Sequence, residues 1–208
     1  MGSSVAPRAL TRILAEEHVQ IRRVLEAFAR YASWVCAARD YDPRLARRFL
    51  RFFREFGDLR HHEEEEELLF PWLEAHGLPR GVGPLVVLRH EHELGRELRL
   101  ALAAAADALL EQPLDADERE RFRELALRYV ELGLAHMDKE EGALFPLVEE
   151  LAAGDAVLTV ARELPARERA WIDEIEARAA AWPAPGLTLL EHGSAESFGR
   201  LCAEALVP

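Results

Sequence analysis

Two copies of one short motif contain the residues of this chain that are best suited to bind a metal ion. The first copy begins at His61 and reads HHEEEEELLFP, and the second begins at His136 and reads HMDKEEGALFP, 75 residues further on. In each copy the first histidine precedes a glutamate, Glu65 or Glu140, by four residues, which places both side chains on one face of an α-helix. A single pair of this kind is usually a solvated ion pair. Its repetition at a fixed offset, followed each time by Leu-Phe-Pro, predicts two sets of metal ligands.

A second repeat precedes the first one. The dipeptide Glu17-His18 matches Glu91-His92 at an offset of 74 residues, and an arginine follows each histidine by four positions. The chain is therefore interpreted as two helical hairpins, each with one histidine on its first helix and a His/Glu pair on its second. Six side chains would then meet in one shared core: His18, His61, Glu65, His92, His136 and Glu140.

The types of these six side chains favour a pair of transition-metal ions. Four imidazoles and two carboxylates in an apolar interior are energetically unfavourable unless they bind something. Imidazole suits ions such as iron and zinc, and the carboxylates of helical bundles commonly hold two ions together. In the expected arrangement the imidazoles cap each ion and the two glutamates bridge between them.

Composition and periodicity indicate an all-α fold. Half of the residues are apolar and 31% are charged, which together with abundant alanine, leucine, arginine and glutamate is typical of helical proteins. Apolar residues recur at steps of three and four along long segments joined by short turns. These segments predict helices over residues 9–38, 43–75, 84–110, 116–152, 165–181 and from 195 onward. The predicted architecture is an up-down-up-down antiparallel four-helix bundle over residues 8–155, with additional C-terminal helices in an extension over residues 156–208.

The second predicted helix carries the most specific local expectations. Asp42 is expected to cap its N-terminus. Leu59 and Leu68 are expected to face the core together with a run of phenylalanines. Pro71 removes a backbone donor, so the helix should kink or adopt a looser turn there. The glutamate run 63–67 is expected to be a mostly solvated face, with Glu65 as its one inward side chain.

The order of the motifs resembles that of the hemerythrin-like family, also called the HHE cation-binding domain. The resemblance covers about residues 8–155 and consists of a histidine, an HxxxE pair, a Glu-His pair and a second HxxxE pair, with Leu-Phe-Pro after both HxxxE pairs. It implies a non-haem di-iron centre that binds oxygen or a related small ligand such as peroxide or nitric oxide. The ligands that the resemblance implies are His18, His61, Glu65, His92, His136 and Glu140. Manganese or zinc in place of the two iron ions stays open, because His/Glu sites accept all three.

One position departs from the pattern of the oxygen-carrying members of that family. They have a second histidine four residues from the first on the third helix, whereas the positions four residues from His92 are Leu88 and Arg96. One ion would therefore lack a histidine and keep a further open position, which weakens the inference to simple oxygen carriage. Ferritin-like di-iron proteins use the spacing Glu-x-x-His instead, which these motifs do not have.

Two further histidines lie beside the predicted ligands. His62 also precedes a glutamate by four residues, but the matching residue of the second copy is Met137, a poor ligand for these ions. We therefore expect His62 to support a ligand or to lie at the surface. His90 is two residues from His92, on the opposite face of the helix, and is expected to be exposed.

Three aromatic residues could also border the site. Phe70 and Phe145, in the two Leu-Phe-Pro segments, either close the site against water or are ordinary core aromatics. Tyr129 precedes His136 by seven residues on the same helix face, so it could donate a hydrogen bond to a bound oxygen species.

These motifs favour a binding protein over an enzyme, with two alternatives left open. One is catalysis at the same centre, acting on peroxide, nitric oxide or ferrous iron. The other is an iron- or oxygen-responsive sensor or interaction protein, in which residues 156–208 would contact a protein partner. The motifs characteristic of hydrolases and nucleotide-binding proteins are not found.

Charge and cysteine content narrow the classes of partner. The formal net charge of −12 argues against binding to nucleic acid or to anionic membrane surfaces. The sequence contains neither a signal peptide nor a long uncharged apolar segment. Cys36 and Cys202 are far apart and form no CxxC motif, which fits a reducing cytoplasm.

Overall fold

The computed structural model describes residues 8–38, 40–113, 115–152, 158–160, 162–185 and 195–206. The described chain is almost entirely helical, which confirms the predicted all-α class. Its α-helices are α1 (Leu10–Ala38), α2 (Pro43–Phe52), α3 (Phe70–Ala75), α4 (Pro84–Glu111), α5 (Ala116–Lys139), α6 (Phe145–Leu151), α7 (Ala166–Ala179) and α8 (Ala195–Ala205). Three π-helical segments are π1 (Phe53–His62), π2 (Glu65–Leu69) and π3 (Glu140–Leu144). The two-residue strands β1 (Arg8–Ala9) and β2 (Thr159–Val160) pair antiparallel.

The observed helices match the predicted ones within about two residues. The predicted second helix is α2, π1, π2 and α3 in continuous succession, and the predicted fourth is α5, π3 and α6. As predicted, Asp42 caps α2, since its carboxylate accepts hydrogen bonds from the backbone N–H groups of Arg44 and Leu45. Asp115 caps α5 in the same way through the N–H of Glu118.

A π turn precedes the proline of each Leu-Phe-Pro segment. The backbone N–H of Phe70 bonds to the carbonyl of Glu65, five residues back, and Phe145 bonds to Glu140 in the same way. A proline ring clashes with the carbonyl four residues earlier in an α-helix, and a wider turn relieves that clash. The looser turn expected at Pro71 is therefore confirmed, and it recurs at Pro146.

The π segments also overturn two sequence predictions. Leu59 and Leu68 were expected in the core, but their side chains are 53% and 40% exposed. Both lie in π segments, where each turn holds more than 3.6 residues, so the α-helical period assigns them to the wrong face. The neighbouring Phe56 and Leu69 are buried as expected.

Two apolar clusters fill the interior, one on either side of the predicted metal ligands. The larger cluster is built around aromatic rings that include Phe28, Phe49, Phe53 and Phe122. The other joins the start of α1 and α4 to the Leu-Phe-Pro segments, which include Phe70 and Phe145. Helix α1 packs on α5, α4 packs on α5 and α2 packs on α4, so the first hairpin and the second share one core.

The C-terminal helices contribute to the same interior. On α7, which packs on α1, Ile172 and Ile175 belong to the larger cluster. On α8, Phe198 and Cys202 belong to the smaller one. The predicted boundary between residues 155 and 156 lies outside the described residues. None of the described helices is long and apolar enough to cross a membrane.

Candidate metal centre

The four predicted histidine ligands lie in two contacting pairs at the centre of the fold. Nε2 of His18 is 2.9 Å from Nε2 of His61, and Nε2 of His92 is 3.0 Å from Nε2 of His136. Each pair joins the two helices of one hairpin. All four rings are at most 4% exposed.

The two predicted glutamate ligands lie between these pairs, each with one oxygen toward either pair. Glu65 places Oε1 3.4 Å from Nε2 of His61 and Oε2 3.4 Å from Nε2 of His92. Glu140 places Oε1 3.3 Å from Nε2 of His136 and Oε2 3.3 Å from Nε2 of His18. Each carboxylate thus spans from one histidine pair to the other, as a bridging ligand does.

The structure therefore contains two sets of convergent donor atoms, which we call set A and set B. Set A comprises His18, His61, one oxygen of Glu65 and one oxygen of Glu140. Set B comprises His92, His136, the other oxygen of Glu65 and, 3.3 Å from Nε2 of His136, Oε1 of Glu140. The donor atoms of set A lie within 4.8 Å of one another, and so do those of His62, Glu65, His92 and His136.

The carboxylate oxygens of these sets fit a cation. Glu65 and Glu140 are fully buried, yet none of their four oxygens has a hydrogen-bond partner among the described residues. An uncompensated carboxylate in a protein interior is strongly destabilising, whereas a bound cation supplies the missing charge. Buried imidazole and carboxylate donors are the ligands that iron, manganese and zinc accept.

The outward nitrogen of every ring in these pairs donates to a further carboxylate. Nδ1 of His61 donates to Glu17 over 3.1 Å, and Nδ1 of His136 donates to Glu91 over 2.9 Å. Because Nδ1 carries the proton and donates a hydrogen bond to the carboxylate, the lone pair of Nε2 is left for a metal ion.

The other two rings use acceptors from the opposite hairpin. Nδ1 of His18 donates to Glu141 over 2.7 Å, and Nδ1 of His92 donates to Glu66 over 2.7 Å. Glu66 belongs to the run that was expected to be mostly solvated, with Glu65 alone facing inward. The signal that could have revealed its role is the repeat, which aligns Glu66 with Glu141.

Basic side chains hold these outer carboxylates in place. Arg22 contacts Glu141, and Arg96 contacts Glu66, so the arginine that follows each lone histidine has the same role in both halves. Lys139 bonds to the carboxylate of Glu91.

The carboxylate of Glu17 is held differently from that of Glu91. Arg60 lies 3.2 Å from its Oε1, and Arg162 lies 2.7 Å from its Oε2. Arg162 precedes α7, so the C-terminal part of the chain reaches the acceptor that orients His61. The second half has no equivalent of this contact among the described residues.

The pKa values of the metal-free cluster differ within each histidine pair. Burial lowers the pKa of His61 to about 4. Burial acts to lower the pKa of His136 too, but the carboxylates of Glu140 and Glu91 outweigh it and raise that pKa to about 9. The pKa of His18 is raised for the same reason, by Glu140 and Glu141, and that of His92 is lowered well below its usual range. In each pair, therefore, the pKa of one ring is raised and that of the other is lowered.

The two bridging carboxylates also differ without metal. Burial, reinforced by the neighbouring Glu140, raises the pKa of Glu65 well above its usual range. Burial would raise that of Glu140 too, but His136 and His18 hold it well below that range. Protons thus occupy the region where two cations would lie, and metal binding has to displace them.

A cavity of about 40 Å³ opens beside the histidines. Its volume exceeds the roughly 10–15 Å³ that one water molecule requires, so a diatomic or triatomic molecule fits. Its lining is mainly apolar, with histidines at one end: Ile21, Leu25, Phe52, Phe53, Gly57, His61, His62, Glu91, His92, Gly95, Tyr129, Leu132, Gly133, His136 and Met137. Burial raises the pKa of Tyr129 above its usual range, so the hydroxyl stays protonated and can donate a hydrogen bond.

Aromatic rings cover the opposite side of the histidines. Phe145 stacks on His18 with ring centroids 5.4 Å apart, and Phe70 stacks on His92 at 5.8 Å. Both rings also belong to the smaller apolar cluster, so they cover the site and pack in the core at once. His90 is exposed, as predicted.

Comparison with protein families agrees with this geometry. The family model of the hemerythrin HHE cation-binding domain matches the chain in two segments, residues 9–106 and 96–204. The chain belongs to the hemerythrin family. A comparison with curated proteins gives no match.

Membership of the hemerythrin family supports a cation as the natural occupant of the two donor sets. Neither residue four positions from His92 on α4 is a histidine in this hemerythrin-family chain, and both have other roles. Leu88 is fully buried in the smaller apolar cluster, and Arg96 pairs with Glu66.

Proposed function

We propose that this hemerythrin-family protein holds two iron ions and binds oxygen, or a related small ligand such as peroxide or nitric oxide, in the cavity beside them. The proposed metal ligands are His18, His61, Glu65, His92, His136 and Glu140. The observation that carries the proposal is the pair of glutamates whose four buried oxygens lack hydrogen-bond partners and face two histidine pairs. Such a centre can transfer up to two electrons to or from a bound ligand.

The chain's own residues define what this centre can bind. The imidazoles and glutamates would supply four donor atoms to each ion, which would leave room for an exogenous ligand. The apolar cavity favours a small uncharged molecule, and the stacked Phe70 and Phe145 exclude water from the other side. We propose that residues 8–155 form the up-down-up-down antiparallel bundle that positions these groups.

Metal analysis and spectroscopy test this proposal together. The purified chain is reconstituted with ferrous iron without oxygen, desalted and analysed, and about two irons per chain are expected. After oxidation, ferric charge-transfer bands should appear and shift when azide is added. A stoichiometry far below two irons, or bands that do not respond to azide, would contradict the proposal. His61→Ala should lower the iron content, while His90→Ala, at an exposed position, should not.

A second candidate function, an iron- or oxygen-responsive interaction protein, is favoured by the contact of Arg162 with Glu17. Glu17 orients His61, so the C-terminal part of the chain shares a carboxylate with set A. In this proposal residues 156–208 form an extension whose contacts depend on whether metal is bound.

Hydrogen–deuterium exchange of α7, with and without iron, tests the second candidate. Iron should slow the exchange of α7 in the wild type, and Arg162→Ala should abolish that difference. Arg167→Ala, at an exposed position on the same helix, serves as the control. Equal exchange of α7 with and without iron would contradict this candidate.

A further inference from the structure

The two halves of the site match closely at the proposed ligands but differ along one line of polar side chains. This line runs from Arg99 on α4 to His62 on π1. Nε of Arg99 donates to Oδ2 of Asp58 over 2.6 Å, and Oδ1 of Asp58 lies 3.6 Å from Nδ1 of His62. Asp58 is only 6% exposed, so this ion pair is largely removed from solvent.

The positions that the repeat matches to these three residues are all apolar. Under the repeat, Arg99, Asp58 and His62 correspond to Leu25, Gly133 and Met137. The correspondence holds in space, because a Cβ on Gly133 would lie 3.1 Å from Cδ1 of Leu25. The leucine side chain therefore approaches the glycine as the arginine approaches the aspartate. Met137 is buried, at 2% exposure.

This polar line ends at the cavity. His62 lines the cavity, and so do the three apolar counterparts Leu25, Gly133 and Met137. At these matched positions the cavity therefore has an imidazole on one side and hydrocarbon on the other. Replacing a buried ion pair by packed apolar side chains is often neutral or stabilising, so the packing of the core does not by itself account for Asp58 and Arg99.

The orientation of the His62 ring argues against direct ligation in set B. The ring stacks on His92 with centroids 4.0 Å apart and an angle of 14° between the planes. A metal ion lies close to the plane of each imidazole that binds it. Two rings stacked nearly parallel cannot both meet that condition for one nearby ion. His62 is therefore close to set B without sharing its ion.

We infer that His62 donates a hydrogen bond from Nε2 to the small ligand in the cavity, and that the Arg99–Asp58 ion pair beside the Nδ1 edge of the ring limits how the ring can turn. The inference rests on the proposed function, since the ligand is the one bound at the metal pair. The ligand class is a diatomic or triatomic molecule with a lone pair on its free end, such as azide, peroxide or oxygen. This hydrogen bond orients the ligand toward the side of the cavity that His62 lines.

The test is azide binding to the diferric protein carrying His62→Met, which installs the residue of the other half. Iron content should stay at about two per chain. The dissociation constant for azide should rise about tenfold, the effect of one lost hydrogen bond to a charged group. The azide stretching band should shift in deuterated buffer for the wild type and not for the variant.

Two more variants separate positioning from structure. Asp58→Asn should weaken azide binding less than His62→Met, because the imidazole remains but is less firmly oriented. His90→Met removes an exposed histidine two residues from His92 and should leave azide affinity within about twofold of wild type.

The outcomes distinguish failure of this inference from failure of the proposed function. Loss of one iron in His62→Met would make His62 a metal ligand and overturn the inference alone. Two irons with unchanged azide affinity and an unchanged deuterium shift would also overturn it alone. A wild-type chain that holds no metal pair would overturn both.

Discussion

The first hairpin, residues 10–75, and the second, residues 84–151, supply the same metal-facing groups at the same depth. His18 and His61 of the one are matched by His92 and His136 of the other, with nearly equal Nε2 separations. The matched positions differ on the cavity wall, where the repeat pairs Arg99, Asp58 and His62 with the apolar residues Leu25, Gly133 and Met137. Duplication thus accounts for the two similar donor sets, and departure from it gives the cavity two unlike sides.

The largest expected effect concerns the shared carboxylates. Glu65→Gln and Glu140→Gln each remove one bridging charge while keeping the shape of the side chain. Because each carboxylate contacts both histidine pairs, either variant should lower the metal content from about two ions to fewer than one per chain. Metal analysis after desalting measures this, and circular dichroism checks that the helices persist. Glu67→Gln, at an exposed position, is the control. A variant that keeps two ions would show that the bridges are dispensable.

The outer carboxylates test whether the halves are equivalent beyond the ligands. Glu66→Gln and Glu141→Gln each weaken the acceptor of one Nδ1 proton, on His92 and His18 respectively. Loss of such support typically lowers metal affinity about 10- to 100-fold. We expect similar losses in the two variants, measured by competition with a chelator. A tenfold difference between them would reveal an inequivalence that the matched geometry does not predict.

Proton release on metal binding should depend on pH, because ligands of the metal-free site carry protons that the metal displaces. The pKa of His136 is raised to about 9, so this ring carries a proton at neutral pH, and the pKa values of His18 and Glu65 are raised as well. A metal ion displaces the proton of His136, so metal affinity should rise with pH up to about pH 9. Calorimetry in buffers of different ionisation enthalpy counts the released protons, and that count should fall as pH rises. Affinity that does not change with pH would contradict the assignment of protons.

The smallest expected effect comes from two helical glycines, one in each half. A Cβ added to Gly57 meets no atom within 4 Å, whereas one added to Gly133 lies 3.1 Å from Leu25. In a helix, alanine is more favourable than glycine by about 0.5–1 kcal/mol. Gly57→Ala should therefore raise the free energy of unfolding by about that amount, and Gly133→Ala by less, because Leu25 has to shift. Denaturant unfolding of the metal-free protein measures the difference, and a larger gain at Gly133 would be the contrary result.

Sequence periodicity predicted the helices and the six proposed ligands because those features are local. A histidine and a glutamate four residues apart share one helix face whatever surrounds them, and the repeat selects them from the other acidic residues. The same reasoning failed at Leu59 and Leu68, because the period of the helix changes within the π segments.

The repeat aligns Glu66 with Glu141, but the partners of the supporting groups could not be predicted, because they are distant in sequence. Glu66 accepts from His92, and Glu17 accepts from His61, in each case on another helix. Asp58 and Arg99 are 41 residues apart and have no motif in common. Such contacts depend on how the helices pack, and no single-helix pattern contains them.

The two π turns have a consequence for how the site can open. Each is followed by a proline that supplies no N–H, so the backbone hydrogen-bond ladder lacks a donor at Pro71 and at Pro146. The amides of these turns should exchange with solvent before those of α1 or α4, and local fluctuations there would lift Phe70 and Phe145 without unfolding the helices that carry the histidines. The path by which metal first reaches the carboxylates can therefore differ from the cavity through which a small ligand enters.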